Sequence, residues 1–81
     1  MSQEEILQAL RSIAHEEADI TELPTGDLQA SLDSVQRMSL MVAIEDHFLI
    51  IFDPEEESQL ATLDDLIAMI HKKLQELEEH V

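Results

Sequence analysis

Three pairs of residues set three apart, Ser2 and Glu5, Asp33 and Gln36, and Thr62 and Asp65, each stand where an apolar pattern of helical spacing begins. A short polar side chain followed three residues later by a longer acceptor is a capping-box pattern. Each side chain accepts a hydrogen bond from the other's backbone N–H, and the helix start is fixed. Behind Ser2, the residues Ile6, Leu7, Leu10, Ile13 and Ala14 form one buried stripe of a helix that runs to about Glu17. Behind Asp33, a helix is predicted from Ser34 to Phe48, with Val35, Met38, Met41, Val42 and Phe48 inward and Arg37, Glu45 and Asp46 outward. Behind Thr62, the residues Leu63, Leu66, Ile67, Ile70, Leu74 and Leu77 keep helical spacing to the end, with Lys72 and Lys73 placed where cations suit the helix dipole. Asp53-Pro54 opens a shorter helix through about Gln59, with Asp as cap and Pro at the first position.

The connections are less regular. Asp19 to Asp33 is a long link that contains the turn residues Pro24, Thr25, Gly26 and Asp27, and Ile20, Leu23, Leu28 and Leu32 are expected to pin it to the core. Leu49-Ile50-Ile51-Phe52 is β-prone, but no partner strand is evident, so it reads as the end of a helix and an apolar connection. The expected fold is all-α: an antiparallel four-helix bundle with three long helices and one short third helix, forming a single domain over residues 1–81.

Composition narrows the function. There are 19 acidic residues against 4 Lys plus Arg, a formal net charge of -15. Phosphate repels such a surface, so nucleic-acid binding and anionic membranes are excluded, and basic protein surfaces are the natural partners. Met1-Ser2-Gln3-Glu4-Glu5 is polar and acidic where a secretory signal needs a basic start, so no such signal is expected, and no apolar run reaches membrane length. The chain has 0 Cys, which removes disulfides and any protein thiol and suits a cytoplasmic setting. A monomer is expected. The histidines His15, His47, His71 and His80 have no i+3 or i+4 partner among themselves, so no metal site is expected, although the net charge alone favours weak divalent binding. No Gly-x-Ser-x-Gly elbow accompanies Ser34, and no phosphate loop occurs, so an enzyme is not expected.

What remains is Ser34 itself. It falls in the first turn of its helix, where backbone N–H groups lack helical partners and the macrodipole is positive. A hydroxyl there is exposed, and an anion built on it is favoured.

The segments Leu32-Asp33-Ser34-Val35, Ser39-Leu40, Ala43-Ile44-Glu45-Asp46-His47-Phe48 and Asp53-Pro54-Glu55-Glu56, with the closing helix from Thr62, resemble the acyl carrier protein family over nearly the whole chain. The resemblance implies that Ser34 accepts 4′-phosphopantetheine from coenzyme A, donated by a phosphopantetheinyl transferase that uses Mg²⁺. Acyl groups then ride on the arm's thiol as thioesters between acyl-loading and synthase enzymes. It makes Asp33 the cap and Val35 a core anchor of the attachment motif, although Val35 stands where the family most often has Leu. It places partner docking on the outward side of the Ser34–Phe48 helix, here Gln36, Arg37, Ser39, Glu45 and Asp46. Acid comes late on that side, which shifts weight from housekeeping fatty-acid synthesis to a dedicated lipid or polyketide-type pathway. Met38, Met41, Val42, Ile51, Leu60 and Ala61 are candidates for a lining that sheathes the acyl chain. Two alternatives stay open: a peptidyl or aminoacyl carrier, whose usual Gly-Gly-His/Asp-Ser signature is replaced here by Ala30-Ser31-Leu32-Asp33-Ser34, and an unmodified acidic adaptor of the same fold.

Overall fold

The computed structural model describes residues 2–24 and 26–79, so Thr25 of the predicted turn and His80 lie outside the described residues. Helix α1 spans Gln3–Glu17, and Ser2 and Glu5 form the expected box, with N···O distances of 3.0 and 3.2 Å. A four-residue helix, α2, spans Leu28–Ser31 inside the long link. Helix α3 spans Ser34–Phe48 behind the Asp33/Gln36 box. The short α4 spans Pro54–Gln59, with Pro54 in its first turn and a fourth box, formed by Asp53 and Glu56, at its start. Helix α5 spans Leu63–Glu79, and the Asp65 carboxylate accepts from the N–H groups of Ala61 and Thr62 while the Thr62 hydroxyl accepts from the Asp65 N–H. The bundle thus has its three long helices and its short one, plus α2.

The centre of the core takes two fully buried residues from each long helix: Ile6 and Leu10, Leu40 and Ile44, Leu66 and Ile70. Helix α1 packs against both α3 and α5. The long link is pinned as expected by the buried Ile20, Leu23, Leu28 and Leu32. It is also tied by its backbone: the Leu28 N–H donates to the Ala61 carbonyl at 2.7 Å, beside an isolated antiparallel bridge between Asp27 and Thr62. This joins the start of α2 to the turn before α5.

The inward side of α3 differs from the sequence reading. Leu40, Ile44 and Phe48 are buried, with Met41 packed partly against the core, whereas Val35, Met38 and Val42 are 73%, 67% and 54% exposed. Val35 is therefore no core anchor. Residues 35, 38 and 42 and residues 40, 44 and 48 both keep helical spacing, so α3 carries an apolar stripe on each of two sides and periodicity alone does not choose between them. Arg37 lies on the same side as Leu40 and Ile44, three and seven residues before them, and it is half-buried rather than outward.

The run after α3 is neither strand nor helix. Leu49 adopts a left-handed conformation (φ 58°), and the Ile50 N–H returns to the Glu45 carbonyl at 3.2 Å, as in a Schellman stop. Ile50 and Phe52 then turn inward, while Leu49 and Ile51 stay 81% and 79% exposed. The Glu45 carboxylate is half-buried and accepts the Phe52 N–H at 2.8 Å. Lys73 of α5 fastens the far side, 2.8 Å from the Glu56 carboxylate and 5.6 Å from the centre of the Phe52 ring. Among the described residues, no helix is long and apolar enough to cross a membrane.

Candidate functional site

Ser34 is the first residue of α3 and is exposed. Its position follows from Asp33: the Asp33 carboxylate accepts the Gln36 N–H at 2.7 Å, and Gln36 returns its side-chain oxygen to the Asp33 N–H at 3.2 Å. With the helix start held in this way, the Ser34 hydroxyl sits at the positive end of a 15-residue helix. One turn on, the Nη2 of Arg37 lies 3.5 Å from the Ser34 hydroxyl oxygen. The neighbouring Nε of Arg37 is buried and has no hydrogen-bond partner among the described residues.

A cleft of about 300 Å³ opens beside Ser34. Helix α3 contributes Ser34, Arg37, Met38, Met41 and Val42 to its lining. Opposite them stand Leu28 and Gln29 of α2, Leu32, Glu57 of α4, Leu60 and Leu66. Of the residues that the sequence marked as a lining, Met38, Met41, Val42 and Leu60 are there, and Ile51 and Ala61 are not. Ile51 follows the opposite end of α3 and points to solvent, and Ala61 is exposed, its carbonyl taken by the Leu28 N–H. The contribution of α2 was missed. The signal for it was present in Asp27, whose carboxylate accepts the Gln29 N–H at 2.8 Å as the cap of that helix.

The residues expected to dock partners are placed unevenly. Gln36 belongs to the capping box, Arg37 and Ser39 are half-buried, and Glu45 holds the Phe52 backbone. Asp46 is exposed. The exposed stripe next to Ser34 is instead the apolar one, Val35, Met38 and Val42. Among the described residues, no group of three or more His, Asp and Glu is placed to hold a metal ion.

A sequence model of the family described as a phosphopantetheine attachment site matches residues 4–70. The chain belongs to that family. Comparison with curated proteins and with solved structures finds no match. Phosphopantetheine attachment domains are carriers rather than enzymes, and their prosthetic group is 4′-phosphopantetheine. The residues around the start of α3 fit such a group on three observations. Ser34 offers an accessible hydroxyl, the helix end favours the charge of a phosphodiester, and Arg37 brings an unmatched donor to the same place. The chain has 0 Cys, so a thiol has to come with the arm.

Proposed function

We propose that Ser34 carries the 4′-phosphopantetheine arm and that the 81 residues act as one monomeric acyl carrier domain. The observation that carries this reading is the exposed Ser34 at the capped start of α3, inside the family match and at the mouth of a largely apolar cleft. When bound, the arm supplies the thiol on which acyl groups are held as thioesters. The chain does the rest: Asp33 sets the root of the arm at the helix start, and Met38, Met41, Val42 and Leu60 offer apolar surface beside it. Flexible Met side chains suit a lining that must part for cargo of varying length.

The partners are a phosphopantetheinyl transferase and the synthase enzymes of a dedicated lipid or polyketide-type pathway. They are read as meeting the exposed stripe of Val35, Met38 and Val42, with Asp46 on the same helix, through an apolar groove rimmed by basic residues. A chain of net charge -15 draws such a surface quickly. The cytoplasm, where coenzyme A and the transferase are at hand, is the compartment that fits.

The class of cargo is read directly by loading. After treatment with coenzyme A and a broad-specificity transferase, the protein should accept fatty-acyl or malonyl groups from their loading enzymes and refuse aminoacyl donors. Efficient aminoacyl loading with no acyl loading would make it a peptidyl-type carrier.

A further inference from the structure

We infer that Arg37 holds the phosphodiester of the arm through the Nε–Nη2 edge of its guanidinium. This rests on attachment at Ser34. Nη2 lies 3.5 Å from the Ser34 hydroxyl oxygen, long for a hydrogen bond to a neutral hydroxyl. The charge is therefore beside the hydroxyl without being satisfied by it. Nε, on the same edge, is buried and has no partner among the described residues. Those two N–H groups form a rigid fork that matches two oxygens of a phosphate, and a phosphodiester on Ser34 has its phosphorus one bond from the oxygen that Nη2 already faces.

The absence of an acidic partner among the described residues supports the assignment. With 19 acidic residues against 4 Lys plus Arg, carboxylates far outnumber cations in this chain. Glu45 and Glu57 line the same cleft as Arg37. Yet the ion pair found among the described residues joins Lys73 to Glu56, and the Glu45 carboxylate turns to the Phe52 backbone. Arg37 is half-buried on the inner side of α3, and its guanidinium reaches the Ser34 hydroxyl at the start of the helix. A cation here also offsets the repulsion that a strongly acidic surface exerts on one more negative group.

The test is made on the full chain, ¹⁵N-labelled, before and after treatment with coenzyme A and the transferase. Intact mass and peptide mapping first show whether Ser34 has gained the arm. On protein that has, the Arg37 Nε–H resonance should move downfield and exchange more slowly with water. The ³¹P resonance of the arm should differ between wild type and Arg37→Gln, with partial return in Arg37→Lys, which restores charge without the fork. An Nε–H resonance and exchange rate identical before and after loading would overturn the role of Arg37 while leaving attachment intact. So would a resonance that responds only when an acidic partner protein is added. An unmodified Ser34 would remove the attachment reading and this inference together.

Discussion

Asp33 and Ser34 divide the start of α3 between them: one carboxylate holds the backbone, and one hydroxyl is left exposed. Asp33→Ala should lower stability by about 0.5–2 kcal/mol in urea unfolding, the usual loss for a cap. Ser34→Ala should stay within about 0.5 kcal/mol of wild type, because an exposed side chain contributes little. Leu49 is a residue of the opposite kind. It holds a left-handed conformation that suits Gly, and its side chain is 81% exposed. Leu49→Gly should therefore stabilise by about 1 kcal/mol, read as a higher urea midpoint, and an unchanged midpoint would show that the strain there is negligible. Glu56 is sensitive to pH. Lys73, and then the Asp53 N–H, hold its carboxyl below the ordinary 4.5. A group whose folded value is depressed contributes stability above its unfolded value and loses it as pH falls through the folded one. Wild type should accordingly lose stability below about pH 4.5 more steeply than Glu56→Gln, as thermal melts over that range would show. Caps such as these were legible in the sequence because they depend on side chains only a few residues apart. The left-handed stop at Leu49 was not, since nothing about a leucine announces that conformation.

At the scale of elements, α3 is where local and global information part. Its limits, Ser34–Phe48, follow from the Asp33 cap and from helical spacing, and both are sequence properties. Its orientation about its own axis does not follow, because stripes of apolar residues run along two sides and packing against α1 and α2 decides which is buried. Ile44→Ala should thus cost about 2–5 kcal/mol, as for a fully buried aliphatic side chain. Val42→Ala should cost no more than about 0.5 kcal/mol. A larger loss for Val42→Ala than for Ile44→Ala, measured by urea unfolding, would mean that the helix is turned the other way. The same ambiguity covers Val35, which keeps the spacing of an inward residue and is exposed. Helix α2 was hidden for a different reason: four residues give no period to detect, and it is held by Leu28, whose backbone partner Ala61 is far away in the chain.

For the whole molecule, charge is the dominant quantity. A net charge of -15 on 81 residues puts the folded state under mutual repulsion, which salt screens within a Debye length of about 10 Å at 0.1 M. Melting temperature should rise as sodium chloride is added from low ionic strength. A flat response would mean that the acidic residues are far enough apart to ignore one another. The same field implies that association with a basic transferase slows in high salt. The bundle, with two buried residues from each long helix at its centre, was legible from caps and stripes, and the cleft was legible in part, because its α3 and Leu60 side was named and its α2 side was not. On the proposed function, one oxygen atom at the head of α3 is the root of the arm. The most direct measurement is intact mass with peptide mapping after incubation with coenzyme A and a broad-specificity transferase, for wild type and for Ser34→Ala. A mass gain located on Ser34 in the wild type, and none in the folded variant, is the predicted result. A wild-type chain left unmodified, or a variant that gains the same mass, would contradict the account.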